Sequence, residues 1–425
     1  MRRTLLLTAL AAVAAVPAAA ALELAGAVEA AAPRAVELRH AIHANPELSN
    51  REHETAALVA DELRRLGLEV ETGIAHTGVV GVLRGGQPGP VVAVRADMDA
   101  LPVTEATDLP FRSTKRATLA DGQEVGVAHA CGHDVHTAVG LGTAAALAAL
   151  RQELPGTVMF VFQPAEEGPP AGEQGGAPLM LAEGVFDRLA PAAIFALHSQ
   201  PALEVGQVGV KPGPVWAAVD KFTIELVGKQ AHGAWPHDSV DPIVMAAEAV
   251  LALQTIRSRN LDPSEPSVVT VGMVHGGERF NIIPGKVLLE GTVRTYSQAV
   301  QDQVEARMRR ILEGVALAHG GGYALEYERV TPATVNAEAL HGPSRASLVA
   351  VFGEEGVVPY PAVMGGEDFA FFAERVPGYY FHLGTTEPGG ASGGLHTPDF
   401  RAADAAVPAG IAAMTRLVVD FLARQ

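Results

Sequence analysis

Short apolar runs alternate with longer amphipathic or alanine-rich stretches along most of the chain, and the period of each run separates strands from helices. From Ala30 to Gly67 the spacing is helical: AVELRHAIHANPELS breaks at Asn45-Pro46, and REHETAALVADELRRLG stops at Gly67, a fitting helix end. VVAVRAD (91–97), TVMFVFQ (157–163) and AAIFALH (192–198) are unbroken runs rich in Val, Ile and Phe, the composition of strands buried on both faces. Between the first two lies TAVGLGTAAALAALRQEL (137–154), which predicts a long helix. Strands alternating with helices predict an α/β layer whose sheet is mixed but largely parallel and flanked by helices.

The pattern changes near Val215. KFTIELVG alternates strictly, as a half-exposed strand does, and a helix (DPIVMAAEAVLALQTIRSR) follows. SVVTVGMVHGG, KVLLEGTVRTY, a second amphipathic helix (QAVQDQVEARMRRILEGVALAHG) and YALEYERV complete two β-α-β blocks. Blocks of this kind predict an inserted α+β sandwich over 215–331. It would divide a larger α/β domain into a first part, 27–214, and a second part, 332–425, that closes on the helix DAAVPAGIAAMTRLVVDFLARQ.

Two domains also suit a chain of 425 residues, and 48% hydrophobic against 19% charged residues is the composition of a folded protein. A net charge of −17, from 31 Lys and Arg against 48 Asp and Glu, argues against a nucleic-acid surface. The first residues, MRRTLLLTALAAVAAVPAAA, read as a secretory leader over 1–20: two arginines, an apolar run too short to span a bilayer comfortably, then small residues. The expectation is an exported protein, periplasmic or secreted, with no membrane attachment after cleavage.

Export sharpens a question about Cys131, the one cysteine, which stands in AHACGHDVHTA among three histidines and an aspartate. A lone thiol in an oxidising compartment is a liability unless it is buried, bound or catalytic. Each apolar strand ends in metal-competent side chains: Asp97 after the first, Glu166 and Glu167 after the second, His198 at the third. Ligands of open α/β sheets bind at the carboxyl ends of the strands. Cys131 and His133 precede the long helix, and His396 lies in the glycine-rich loop GGLHTP. Cys131, His133, Glu167, His198 and His396 exceed the four donors of a closed tetrahedral site and suggest two divalent metals, with a thiolate able to bridge. This mixed donor set accepts Zn, Mn, Co or Ni. Glu166, beside a ligand, is placed to take a proton from an activated water.

The motifs RADMDALP (95–102), HACGHDVHTA (129–138), FQPAEEG (162–168), GKQAHGAWPH (228–237), FNIIPGKVLLEGTVRTY (280–296), GGEDFAFF (365–372) and LHTPDF (395–400) resemble, in order and over nearly the whole chain after the leader, the M20 metallopeptidase family. The likeness is greatest to its amidohydrolase branch of hippurate hydrolases, N-acyl-amino-acid amidohydrolases and indole-acetyl-amino-acid hydrolases. It implies a dinuclear-metal exopeptidase-like catalytic domain with an inserted lid domain that in many relatives forms a homodimer. It implies Cys131 as the bridging ligand, His133, Glu167, His198 and His396 as the other ligands, and Glu166 as general base. Asp97 becomes an orienting residue behind the ligands, and Arg95 with Cys131 marks the amidohydrolase branch. In the lid, His232 matches the histidine that stabilises the oxyanion, sometimes across a dimer, while Asn281 and Arg294 match substrate-carboxylate contacts.

The expected activity is hydrolysis of a small-molecule amide, an N-acyl amino acid or similar conjugate, with an M20-type carboxypeptidase or dipeptidase as the alternative. A thiol hydrolase built on Cys131 would leave Glu167, His198 and His396 without work. A solute-binding or metal-storage protein would have no use for a base at Glu166.

Overall fold

The apolar runs lie at the centre of an eight-stranded sheet ordered Glu69–Ile74, Gly78–Arg84, Pro155–Gln163, Gln87–Asp97, Ala193–Glu204, Gly378–Thr386, Val208–Val210 and Val357–Pro359. The four strands from Pro155–Gln163 to Gly378–Thr386 are mutually parallel, and the Glu69–Ile74 and Gly78–Arg84 hairpin adds antiparallel pairing at one edge. The sheet is therefore mixed and largely parallel. The computed structural model describes residues 18–424, so the expected leader over 1–20, its last three residues apart, lies outside the described part. Among the described residues no helix is long and apolar enough to cross a membrane.

The runs lack alternation because both faces are covered. In the strand Gln87–Asp97, Val92, Val94 and Ala96 pack into one core while Ala93 packs into the other. Phe160 and Phe162 face the first core, Met159 and Val161 the second. The helices Ala18–Ala44, His53–Arg65, His133–Ala149 and Ala406–Leu422 cover the first face, and the short helices Gly176–Ala182 and Phe369–Arg375 cover the second. Each fully buried Phe contributes roughly 1.5–3 kcal/mol relative to exposure.

The chain leaves this sheet at Gly213–Trp216 and returns at Thr334–Asn336, two segments that pair antiparallel at the crossing. Between them Ser267–Gly276, Lys286–Thr295, Ala218–Val227 and Gly322–Thr331 form a separate four-stranded antiparallel sheet in that order. Helices Pro242–Thr255 and Gln298–His319 cover one of its faces, enclosing Phe222, Ile224, Leu226, Leu289 and Met308 in a core of its own. Inner residues of Ala218–Val227 are buried and alternate with more exposed ones, as the strict alternation of KFTIELVG requires. The α-helix expected to continue through Arg259 ends at Thr255, and Ile256–Asn260 winds as a single π-turn.

One buried ionic clamp bears on the site. Arg39, in the first helix, places Nε 2.9 Å from Asp134 Oδ2 and Nη1 2.7 Å from Asp404 Oδ1, and donates from Nη2 to the Ala402 carbonyl at 2.7 Å. His43, one turn on, lies 2.9 Å from Asp134 and 3.2 Å from Glu105. The clamp pins the start of the His133–Ala149 helix, and with it the Cys131 loop, against the N-terminal helix.

Burial alone would depress the His43 imidazole, but Asp134 and Glu105 outweigh it and hold the pKa up to about 9. A raised histidine pKa adds stability that is fully present below the unfolded value near 6.5 and is lost as pH climbs through about 9. Unfolding free energy measured by urea titration at pH 6, 7.5 and 9 is therefore expected to fall with a contribution on the order of 3 kcal/mol from this residue. His43→Gln removes that part of the slope, and equal slopes in the two proteins would exclude the clamp.

Candidate metal centre

Three carboxyl-terminal strand regions meet the Cys131 loop in one crevice. Asp97 is the last residue of its strand, and Glu166 and Glu167 follow the strand Pro155–Gln163 after a tight turn. His198 was expected at a strand end, yet its strand runs on to Glu204. Pairing with Gln87–Asp97 stops at Val94 and Phe195, so beyond that point the neighbouring strands part and His198 faces the opening. Gly132 adopts φ +87°, and a β-carbon there would stand 2.6 Å from Ser199. Only glycine makes that turn without strain, and it sets Cys131 and His133 on either side of the start of the helix.

The donors converge. His198 Nε2 lies 3.4 Å from Cys131 Sγ, His396 Nε2 lies 3.3 Å from the same sulfur, and His396 Nε2 stands 3.2 Å from Glu167 Oε1. Donor atoms of Cys131, His133 and His198 lie within 4.8 Å of one another, as do those of Cys131, Glu167 and His396. The two groups share only the sulfur, the arrangement a bridging thiolate requires.

The tautomers suit cation binding. His198 Nδ1 donates to the Ser199 carbonyl at 2.7 Å and His133 Nδ1 faces Asp99 Oδ1 at 3.2 Å, which leaves both Nε2 lone pairs toward the centre. His133 Nε2 is buried with no hydrogen-bond partner among the described residues. Burial, and then the charges of Glu167 and Glu166, push the Cys131 thiol well up from its ordinary range. Burial, together with Glu367, Glu167 and Asp368, likewise raises Glu166 far above the usual carboxylate range. A crevice so rich in carboxylate is balanced by cations, and its soft and hard donors fit a divalent metal.

Around the donors is a buried scaffold that sequence reasoning largely missed. Arg95 meets Asp97 at 2.5 Å, Glu367 at 2.9 Å, Asp368 at 3.0 Å and Gln163 at 2.8 Å. Tyr380 Oη donates to Glu367 at 2.5 Å, and Gln163 donates to Asp368 at 2.7 Å. Asp97, expected from the resemblance to orient the ligands from behind, has His136 as its nearest imidazole, at 2.6 Å, and stands 3.9 Å from His133 Nδ1. His136 Nε2 accepts from the Ser199 amide at 2.7 Å, so both its nitrogens are used within the protein. The signal for the scaffold was present in RADMDALP and GGEDFAFF, but spacing alone names no partners across 272 residues, the separation of Arg95 and Glu367.

A cavity of about 600 Å³ opens over the centre, lined among others by Cys131, Glu166, His198, Trp216, Val219, Arg294 and Leu395. Arg294 thus joins the predicted ligands. His232 and Asn281 do not: both are exposed, on and beside the small Ala231–His232 and Ile282–Ile283 ladder of the inserted unit, and neither lines the cavity. His232 Nδ1 instead accepts from the Ala234 amide at 3.0 Å while its ring lies 4.9 Å from that of Trp235.

A largely parallel sheet with metal-competent donors at one end, and a separate sheet-and-helix unit beside the crevice, fits a metal-dependent hydrolase. The sequence pattern of Peptidase family M20/M25/M40 matches residues 93–420, and the chain belongs to that family. It is 39% identical over 351 residues to N-acetyl-L-cysteine deacetylase of Bacillus subtilis, covering 82% of this chain and 80% of that one. It is 36% identical to thermostable carboxypeptidase 2 of Saccharolobus solfataricus, covering 91% and 95%. Among solved structures it superposes with a TM-score of 0.79 on the Bacillus subtilis YXEP protein, a dinuclear metal-binding peptidase of the M20 family, at 35% identity and with 93% and 99% coverage. The protein is a metal-dependent hydrolase acting on C–N amide bonds.

Elemental analysis of protein purified without chelators checks the centre directly. Cys131→Ser is expected to retain the fold and lose at least about half of the bound metal, since an alcohol replaces the only donor shared by both groups. Equal metal content in the two proteins would exclude the shared thiolate.

Proposed function

We propose that this protein is an exported amidohydrolase that cleaves the amide bond of N-acyl amino acids or similar small amino-acid conjugates, using two divalent ions. The observation that carries the reading is Arg294. Its guanidinium lines the same cavity as Glu166 and the metal donors, is half-buried, and has no ion-pair partner among the described residues. Its one hydrogen bond, from Nε, goes to Thr292 Oγ1 at 3.1 Å. Burial lowers its pKa, and the charge of Asp220 only partly offsets that. An unpaired guanidinium beside a hydrolytic centre is a seat for the free carboxylate of an amino-acid product. Trp216, Val219 and Leu395 on the cavity wall favour a neutral acyl group over the ammonium terminus of a peptide.

When bound, the ions would polarise the scissile carbonyl and ease deprotonation of water. Glu166 takes the proton as the hydroxyl adds to the carbonyl carbon. It returns that proton to the amine nitrogen as the C–N bond breaks. Arg294 holds the carboxylate and so fixes which amide faces Glu166. The strand ends, the helix start and the buried Arg95 hold these groups in place, so little rearrangement is needed at the moment of reaction.

With a panel of N-acyl amino acids and the matching des-carboxy amides, Glu166→Gln is expected to lower kcat about 10²–10⁴-fold with KM little changed. Arg294→Ala is expected to raise KM about 10–100-fold for the carboxylates only. Equal KM effects on both series would move the carboxylate elsewhere, and faster turnover of dipeptides than of acyl amino acids would favour the carboxypeptidase alternative.

We further infer a homodimer through the inserted unit. Its strand Ser267–Gly276 is an edge that exposes Met273 (48%) and Val274 (59%), and Phe280 (101%), just after the strand, and Leu251 (72%), on the helix Pro242–Thr255, add to the apolar surface of the unit. A second copy at that edge accounts for the exposure of His232 and Asn281, whose expected roles are then played in the neighbouring subunit's crevice. Light scattering is expected to give a dimer for the wild type and a monomer for Met273→Lys/Leu251→Glu, with kcat falling alongside. A monomeric, fully active wild type would exclude it.

A further inference from the structure

The turn that presents Glu166 and Glu167 is held by carboxylates that the hydrolytic steps above do not use. Ala165 sits at φ +52°, a left-handed conformation that a β-carbon disfavours, so something outside the turn must keep it there. Three successive backbone N–H groups point at two buried side chains. Ala165 donates to Glu52 Oε1 at 2.9 Å, Glu166 to Asp99 Oδ1 at 3.1 Å and Glu167 to Asp99 Oδ2 at 3.0 Å.

Asp99 does more than hold the turn. Its Oδ1 also faces His133 Nδ1 at 3.2 Å, and its Oδ2 accepts from Ser49 Oγ at 2.8 Å. The residue is 1% exposed, so each oxygen is committed to protein donors on two sides. We propose that Asp99 is the positioning residue of the centre: a single carboxylate that fixes the ring of His133 and, through the two amides, the departure points of Glu166 and Glu167. Asp97, two residues earlier, is spent on Arg95 and His136. Ser49 and Glu52 lie before residue 93, where the family match begins, so the N-terminal segment supplies part of the support.

Carboxylate is the group this geometry requires. An asparagine of the same shape would turn an N–H₂ toward one pair of donors, either His133 with Glu166 or Glu167 with Ser49. In each case a ligand or the base loses its anchor. An imidazole whose Nδ1–H is held by a carboxylate is also the stronger donor at Nε2.

The inference rests on the metal reading, and its test reads metal affinity of the apo-protein, with no substrate present. Cobalt(II) uptake is followed by competition with a chromophoric chelator. Asp99→Asn is expected to bind about 10–100-fold more weakly than wild type, while Glu52→Gln, which supports the same turn without touching His133, stays within about threefold. Wild-type affinity in folded Asp99→Asn, or an equal loss in Glu52→Gln, overturns the assignment. Should Asp99→Asn fail to fold, Ser49→Ala frees one side of Oδ2 and is expected to weaken binding by about two- to fivefold, and unchanged affinity there overturns it as well. A wild-type protein that takes up no cobalt would overturn the metal reading itself.

Discussion

Charge balance in a dry crevice is the constraint on which the rest of this structure depends. Asp97, Asp99, Glu367 and His133 are each almost wholly removed from water, and Glu166 and Glu167 stand at the rim beside a buried thiol. Isolated charges in such a place are prohibitive, so each must be paired, hydrogen-bonded or bound to a cation. Arg95 neutralises the rear of the crevice by taking Asp97, Glu367 and Asp368 together. The front, where Cys131, Glu167, His198 and His396 meet, has no ion pair to a guanidinium among the described residues, and that is where a divalent cation has a place. The division explains why the same few residues carry both the fold's most buried charges and its chemistry.

The same balance decides between ways of using Cys131. A nucleophilic thiol sits where positive charge lowers its pKa, whereas here burial and neighbouring carboxylates raise it. A bound cation would reverse that shift, which favours a ligand's role for the thiol over a nucleophile's. A shielded, bound thiolate also removes the hazard that one unpaired cysteine would pose.

Support for the centre comes from distant parts of the chain. The Arg39 and His43 clamp fixes the start of the His133–Ala149 helix from the N-terminal side, and Gly132 permits the turn into it. Glu52 and Asp99 fix the turn after the strand Pro155–Gln163. His396 reaches the sulfur from a loop 265 residues away, itself held by a bond from its amide to the Ala130 carbonyl at 2.8 Å. The inserted unit has its own core and contributes Arg294 to the cavity wall, so the cavity is walled by two packing units.

Local pattern was enough to read the layers of this protein. Unbroken apolar runs meant strands covered on both faces, strict alternation meant a half-exposed sheet, and strand ends, the start of a helix and a glycine-rich loop marked Glu167, His198, Cys131, His133 and His396 as candidate donors, which the fold brings together. Those are short-range signals, because side-chain period and turn chemistry are set by neighbours in the chain. The pairing of Arg95 with Glu367, the anchoring of Glu166 and Glu167 by Asp99, and the separation of His232 and Asn281 from the cavity were decided by tertiary structure alone. They depend on which segments the folded chain brings within hydrogen-bond distance, and a buried charge finds its partner in space, where sequence spacing carries no information about the approach.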